Sequence, residues 1–343
     1  MDRFRVFSRR RAIQTLGAGG ALLAGFSLLR SPHSRASTST SIPVGFQLSW
    51  LHSVQFGGSY IAQSKGYWAE QGLEVTLMPG GPNAPVEPPV VSGSALMGIS
   101  AADYTAAAVS QGAPFKIIAV AMQKNPFAIA SLPRNPVNEP RDLEGKRIGM
   151  ATANTPVLQA LCTLNNVDIN RITIIPTQYD AAPLVNGEVD CLLCWLTDLP
   201  VAMTVQGIDN VTMLMADYGY TVHSQTYIVL AESLKTRRDQ VIKLLRGEIK
   251  GWQDYKANTD AAARLTVEMF PDAGLDLKTQ QLQAREQLKL MFSDLTDKNG
   301  FGWFTEETVA ANVETLGLLG KEVSPALWDR SILEEIYAGK STL

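Results

Sequence analysis

The sequence is poor in the residues that most often bind metals or form covalent cross-links. Among 343 residues there are three cysteines and three histidines, and their scattered positions match no zinc-binding spacing. We therefore predict no metal site. Cys191 and Cys194 have the spacing of a redox motif, but they lie in an apolar run typical of a buried strand. A disulfide from Cys162 to either of them stays open.

Charge and long apolar runs are also scarce, and this excludes several classes of function. Only 18% of the residues are charged, and those after residue 36 comprise 23 basic and 32 acidic ones, a net charge of −9. That balance offers no basic stripe for a nucleic acid. No apolar run after residue 36 is long enough to span a bilayer. No catalytic triad, phosphate loop or pair of catalytic carboxylates can be assembled, so we predict neither an enzyme nor a cofactor.

The first 36 residues read as an export signal. An arginine-rich start is followed by the apolar, glycine-rich stretch 12–29 and by a small-x-small cleavage candidate at 34–36. Ser8-Arg9-Arg10 resembles a twin-arginine signal, although Ala12 stands where a bulky apolar residue is commoner. These residues predict a periplasmic protein, with an uncleaved membrane anchor as the alternative.

The rest of the chain alternates between strand and helix patterns, which is typical of βα units and a largely parallel sheet. Predicted strands are 44–51, 73–78, 96–100, 115–122, 127–132, 147–150, 172–177, 191–196, 211–215 and 227–231. Predicted helices between them are 59–71, 85–92, 102–111, 155–165, 181–187 and 199–206. From residue 233 onward the pattern is helical and amphipathic.

This order predicts two α/β lobes joined by two crossings, near 127–133 and 222–231. The first lobe would comprise 44–130 and 228–343, and the second 131–227. Two crossings form a hinge, and a hinge implies a cleft between the lobes. In such open sheets the ligand lies at the carboxyl ends of the strands.

Several blocks of the sequence resemble one family. They are GGSYIAQSKGYWAEQGLEVTLMPGG (57–81), SGSALMGIS (92–100), QGAP (111–114), DLEGKRIG (142–149) and NGEVD (186–190). These blocks, in this order over about 44–335, resemble the solute-binding proteins of ABC importers related to thiamine-pyrimidine, nitrate, sulfonate and taurine binding. The resemblance implies a two-lobed periplasmic binding protein fold of type II, with each lobe a mixed sheet flanked by helices.

The same superfamily contains an enzyme, the thiamine pyrimidine synthase, which carries a CCCFC motif and an active-site histidine. Here CLLCW (191–195) is only superficially similar, and the segment 100–104 has no histidine where the enzyme has one. The resemblance therefore implies a monomeric binding protein that delivers a small nitrogen-containing heteroaromatic compound to an inner-membrane ABC permease. A synthase-like enzyme and an anion-binding protein are the alternatives.

The candidate binding residues lie mainly where predicted strands end. Trp50, Tyr104, Trp195 and Tyr218 would wall a ring, and Asp103, Asn154 and Asp198 would fix its polar edge. Gly57 and Gly58 would offer N–H groups at a helix start. The remaining candidates are His52, Phe56, Tyr60, Asn83, Ser100, Thr155, Tyr179 and Asp217. No cation is among them, so a sulfonate or nitrate ranks second.

Overall fold

Two five-stranded sheets organise the computed structural model, which describes residues 41–82 and 84–343. The predicted export signal and the candidate Asn83 lie outside the described residues. The strands are β1 Ile42–Gln47, β2 Leu73–Met78, β3 Met97–Ala101, β4 Phe115–Met122, β5 Phe127–Ser131, β6 Arg147–Met150, β7 Thr173–Pro176, β8 Cys191–Trp195, β9 Val211–Leu214 and β10 Ser224–Leu230.

The helices cover both sheets and make up most of the carboxyl-terminal part. They are α1 Gly57–Ser64, α2 Glu87–Val91, α3 Ala102–Ser110, α4 Thr155–Leu164, α5 Ala182–Val185, α6 Leu199–Val205, α7 Ser233–Thr236, α8 Arg238–Ala257, α9 Thr259–Met269, α10 Leu277–Met291, α11 Asp294–Asn299, α12 Glu306–Leu318 and α13 Ser331–Tyr337. Within the described residues, none of them has the length and apolar character needed to cross a membrane.

Each sheet is mixed, with one antiparallel strand inserted among parallel ones. The first has the order β2-β1-β3-β10-β4, and the second has the order β7-β6-β8-β5-β9. In the first, β10 runs antiparallel to both β3 and β4; in the second, β5 runs antiparallel to both β8 and β9. The predicted fold class, two mixed sheets flanked by helices, is confirmed.

The chain passes between the sheets earlier than the sequence suggests. The strand Phe127–Ser131, which was expected to lie at the first crossing, pairs with Cys191–Trp195 and Val211–Leu214 in the second sheet. Likewise, Ser224–Leu230 belongs wholly to the first sheet. The connecting segments are thus 123–126 and 219–223. They lie side by side, because the Asn125 amide donates to Val222 O at 2.6 Å and to Ser224 Oγ at 3.1 Å.

Helices α1 and α8 approach so closely that only glycine fits at their contact. A Cβ atom on Gly58 would stand 2.3 Å from the Trp252 ring, and one on Gly57 would stand 2.5 Å from the Tyr255 ring. From the other side, a Cβ on Gly251 would stand 2.0 Å from Gly58 O. These glycines therefore allow the two helices to pack closely. The sequence pattern alone had assigned Gly57 and Gly58 to ligand binding.

All three cysteines are buried free thiols. Burial raises the pKa of Cys162 to about 11 and that of Cys191 to about 12, so neither is a ready thiolate. Cys194 is fully enclosed on the same strand, and burial raises its pKa as well. The burial of Cys191 and Cys194 agrees with the interpretation of both as core residues of β8.

Candidate functional site

The carboxyl ends of the parallel strands in both sheets carry most of the predicted binding residues. In the first sheet, Trp50 follows β1 and Asp103 follows β3. In the second sheet, Trp195 ends β8 and Tyr179 follows β7. In sheets of this kind ligands bind at that edge.

Trp50 is the most accessible aromatic residue near the end of β1. Its side chain is 39% exposed, and its carbonyl accepts a hydrogen bond from Gly80 N at 3.0 Å. The alternation that directs Phe46 and Leu48 into the core ends before Trp50, which lies in a bend. Trp50 therefore has the exposure that a ligand-contacting ring requires.

His52 is fixed by its neighbours. Its Nδ1 lies 3.0 Å from the Tyr60 hydroxyl, and its ring stacks on Phe270 with centroids 3.8 Å apart. Partial burial lowers its pKa, so the ring is neutral near pH 7. The His52 side chain is half-buried and lies against Tyr60 and Phe270 instead of projecting into solvent.

Four further candidates in this segment belong to the core. Phe56 and Tyr60 have no exposed surface, and Gly57 and Gly58 are occupied by the contact with α8. The Gly57 N–H donates to Val54 O, so it is not available to a ligand. The prediction read a strand–loop–helix corner correctly but could not show which side of it faces α8. We do not retain these four residues in the site.

The start of α3 brings together acidic and aromatic side chains. Ser100 is buried, and its hydroxyl donates to Glu87 Oε1 at 2.5 Å. Surrounding protein and, to a lesser extent, Glu87 raise the pKa of Asp103, while its own backbone N–H and that of Tyr104 stabilise the carboxylate. Ala102 N donates to His223 O at 2.9 Å. The first N–H group of α3 is therefore already satisfied by a backbone carbonyl and is not available to a ligand.

Tyr104 lies in the first turn of α3 and is exposed. Partial desolvation by the surrounding protein, followed by the neighbouring Asp103, Tyr179 and Glu87, raises its pKa. The influence of Tyr179 is informative, because Tyr179 follows β7 of the other sheet. Two exposed tyrosines from opposite lobes thus lie near one another, as expected at the mouth of a cleft.

In the second lobe, Trp195 and Asp198 are close in sequence and in space. The Trp195 ring is half-buried and meets Phe127 edge-on, with centroids 6.2 Å apart. Asp198 N donates to Trp195 O at 3.0 Å. Asp198 is accessible to solvent, yet enclosure by protein raises its pKa to about 6. A carboxyl that is both accessible and partly desolvated is typical of a cleft.

Asn154 and Thr155 stand at the start of α4 and are partly exposed. The Thr155 hydroxyl donates to Thr152 O at 2.8 Å, a local bond that stabilises the turn before the helix. Asn154 makes no side-chain capping bond to this helix, so its amide keeps its donors and acceptor. Asn154 thus stays a candidate for the polar edge of the site, and Thr155 acts mainly in the turn.

Asp217 and Tyr218 are held by structural bonds. Asp217 Oδ1 forms an ion pair with Lys124 Nζ at 2.7 Å, which ties the end of the second sheet to the first crossing. The Tyr218 hydroxyl donates to Asn138 O at 2.7 Å, and the Asn165 amide donates to Tyr218 O. These contacts hold loops together, so we do not retain either residue as a ligand contact.

A row of glutamines on α10, which the sequence analysis missed, reaches the second lobe. Gln280, Gln283 and Gln287 are 5%, 8% and 0% exposed. The Gln283 amide donates to Asp198 Oδ1 at 3.2 Å, a hydrogen bond between the carboxyl-terminal helices and the second lobe. Their spacing of three and four residues places them on one helix face, a signal that was readable in the sequence.

Within residues 41–82 and 84–343, no cluster of three or more His, Cys, Asp or Glu side chains could hold a metal ion. Acidic, amide and aromatic groups therefore define the chemistry of the site. They suit a small polar ring and offer no set of metal ligands.

The two facing mixed sheets and the cleft-edge residues define the class: a two-lobed protein of the periplasmic binding protein type. A family model described as "NMT1/THI5 like" matches residues 53–262, well over half of the chain. The protein therefore belongs to the NMT1/THI5-like family, as the sequence blocks indicated.

Curated relatives include both binding proteins and enzymes. The chain is 24% identical to the riboflavin-binding protein RibY of Chloroflexus aurantiacus, with 96% of this chain and 98% of the relative covered. It is 21% identical to the formylaminopyrimidine-binding protein of Halalkalibacterium halodurans, over 75% and 79%. It is 29% identical to the 4-amino-5-hydroxymethyl-2-methylpyrimidine phosphate synthase of Schizosaccharomyces pombe, over only 38% of each chain.

Solved structures support the fold. The periplasmic aliphatic sulphonate-binding protein SsuA of Escherichia coli superimposes with a TM-score of 0.62 at 13% identity, with 82% of this chain and 91% of that chain covered. The desulfurization enzyme DSZB superimposes with a TM-score of 0.59 at 13% identity, over 86% and 99%. At these identities the likeness shows the architecture alone, and both binding proteins and enzymes share it.

Proposed function

We propose that this protein is the substrate-binding component of an ABC importer and captures a small nitrogen-containing heteroaromatic compound between its lobes. The observation that carries the proposal is the cleft edge itself. Accessible Trp50 follows β1 of one sheet, and half-buried Trp195 ends β8 of the other, three residues before the partly desolvated carboxyl of Asp198. Aromatic walls with a few polar groups suit a flat, neutral ring.

The relatives indicate which rings to test. The two that match most of their own length are named for binding riboflavin and formylaminopyrimidine, and both ligands contain a pyrimidine-type ring. No lysine or arginine is among the candidate residues, so the site lacks the cations expected for a sulfonate. We therefore place a pyrimidine, or a fused ring that contains one, ahead of an anion. A permease at the inner membrane and a periplasmic location follow from this role.

The alternative is a synthase-like enzyme, because three relatives with that name match 31–46% of this chain. The cysteine pair that superficially resembles the enzyme motif lies buried in β8, where its thiols cannot reach the cleft as thiolates. This argues for binding without chemistry.

Calorimetric titration of the purified protein with riboflavin and with formylaminopyrimidine tests the proposal. We expect a one-site isotherm for one of them, and native mass spectrometry of the protein as purified provides a search for a retained ligand. The synthase that the sequence resembles is iron-dependent, so absence of binding to both compounds, together with iron in the purified protein, would favour the enzyme. Binding of an alkanesulfonate in preference to both rings would favour the anion alternative.

A further inference from the structure

The glutamine row, defined as Gln280, Gln283 and Gln287 of α10, occupies positions where packing alone would favour leucine. These side chains are almost fully enclosed, whereas Leu282 and Leu288 of the same helix are only half-buried. Burying an amide is unfavourable unless it is hydrogen-bonded, and an apolar side chain of similar volume avoids that requirement. Three buried amides on one helix face therefore indicate a need for polar groups there.

The row joins the two segments that carry the cleft tryptophans. Gln280 Oε1 accepts from Val54 N at 2.7 Å, four residues after Trp50. Gln280 Nε2 donates to Gln283 Oε1 at 3.1 Å, and Gln283 Nε2 donates to Asp198 Oδ1, three residues after Trp195. The chain of hydrogen bonds thus runs across the cleft. Its last bond, from Gln283 to Asp198, joins α10 to the second lobe.

The row also ends in an acceptor that has no partner. Gln287 Nε2 donates to Gln55 O at 3.2 Å, but Gln287 Oε1 is buried and accepts no hydrogen bond within the described part of the chain. Gln225 Nε2 donates to the same carbonyl at 3.3 Å, from a backbone with φ of 47° at the bulge that opens β10. A buried unpaired acceptor and a left-handed non-glycine residue are both unfavourable, and such features concentrate at ligand sites.

The link between Asp198 and Gln283 has the chemistry of one edge of a pyrimidine. Asp198 supplies an acceptor and Gln283 supplies a donor. A ring edge that carries an N–H beside a carbonyl or ring nitrogen can therefore bind both residues in place of their mutual hydrogen bond. Its N–H would face Asp198, and its acceptor would face Gln283. Glutamine reads the adenine edge in DNA through the same donor–acceptor pairing. Gln287 Oε1 would accept from a further donor of the ligand.

We propose that the glutamine row and Asp198 form the subsite that recognises the donor–acceptor edge of a pyrimidine-type ring, which enters by replacing the hydrogen bond between the lobes. This inference rests on the proposed function. It adds that specificity comes from α10, which closes the site from the carboxyl-terminal side, and that the aromatic walls contribute area without reading the ring edge.

The test uses the full chain and the variants Asp198→Ala and Gln283→Leu, with Gln281→Leu as the matched control. Gln281 lies on the same helix, outside the row, and is half-buried. Each protein is titrated with riboflavin and with 3-methylriboflavin, in which a methyl group replaces the N–H of the ring edge. If the wild type binds the pyrimidine instead, the second probe is the analogue with hydrogen in place of the ring amino group.

We expect the wild type and Gln281→Leu to prefer the unmodified ring by about tenfold or more, since a site built to hydrogen-bond a group rejects the analogue that lacks it. In Asp198→Ala the preference should fall to near unity, because the acceptor for the ring N–H is gone, whereas Gln283→Leu should weaken both ligands, because both keep the ring acceptor that Gln283 would bind. A purely structural role of Asp198 would weaken both ligands equally and leave the ratio unchanged, which would overturn the inference while the proposed function stands. If the wild type binds neither ring, both fail.

Thermal melting checks that the variants fold. Should Asp198→Ala fail to fold, Asp198→Leu provides the same comparison, because it also removes the acceptor for the ring N–H. An unchanged ligand preference in a folded variant that lacks the Asp198 carboxylate would count against the subsite.

Discussion

Replacement of the buried Glu248 by glutamine should change how stability depends on pH. Glu248 lies on α8 with no exposed surface, and its Oε1 accepts from Ser59 Oγ, Tyr227 OH and Trp252 Nε1 at 2.8–2.9 Å. Its Oε2 has no partner among the described residues. Burial is the main cause that raises the pKa of this carboxyl from 4.5 to about 7.

The sign and size of the effect follow from linkage. Because the folded state holds this proton more tightly than the unfolded chain, the contribution of Glu248 to the free energy of unfolding is complete below pH 4.5 and is lost as the pH rises through about 7. The difference between the two pKa values corresponds to about 3 kcal/mol. In Glu248→Gln the three accepted hydrogen bonds remain possible, but two buried N–H donors lack partners, a cost of about 1–3 kcal/mol at any pH.

Urea unfolding of both proteins at pH 5, 6, 7 and 8, followed by tryptophan fluorescence, measures this. We expect Glu248→Gln to be the less stable protein at pH 5 and to approach or exceed the wild type at pH 8. Groups such as His223 titrate in both proteins and cancel in the comparison. Glu314→Gln, at an exposed position on α12, is the control. We expect its stability curve to run parallel to that of the wild type. Parallel stability curves for wild type and Glu248→Gln would refute the reasoning.

Three further predictions concern packing, a histidine and the proposed ring walls. Gly58→Ala, whose Cβ would stand 2.3 Å from the Trp252 ring, should lower the free energy of unfolding by about 1–3 kcal/mol. Gly317→Ala on α12, where nothing lies within 4 Å of the new Cβ, should raise it by roughly 0.5–1 kcal/mol in the same urea assay. Burial lowers the pKa of His223 to about 4, so NMR should show a neutral ring down to about pH 5, and protonation near pH 6.5 would contradict this. The contribution of the neutral ring to the free energy of unfolding should be lost as the pH falls from 6.5 to 4. Trp50→Ala and Trp195→Ala should each weaken ring binding about tenfold or more by calorimetry with modest change in melting temperature, whereas a large loss of stability with unchanged affinity would show core residues.

Local patterns in the sequence were sufficient for the strands. Alternation and apolar runs predicted the bounds of Leu73–Met78, Phe115–Met122 and Arg147–Met150 as the structure has them. A strand needs only a local pattern of side chains and flanking turns to be recognised. The order of these strands then supported the confirmed two-sheet architecture.

The candidate site was harder to predict because its key contacts are not local. The pattern marked Gly57 and Gly58 as helix-start donors, but α8, which makes them packing residues, follows almost 200 residues later. Phe56 and Tyr60 were misjudged for the same reason. The glutamine row was visible as a periodic polar stripe, yet its burial depends on Val54 and Asp198, which no local pattern connects to α10.

The insertion of β10 between β3 and β4 also determines the order in which the molecule can be completed. All strands of the second sheet lie between residues 127 and 214, so a growing chain can finish that sheet first. The first sheet must wait for Ser224–Leu230, and until then β3 and β4 each expose an unpaired edge. Such edges invite pairing with other chains. A fragment that stops before residue 224 therefore leaves both of these edges open, and useful truncations must keep β10.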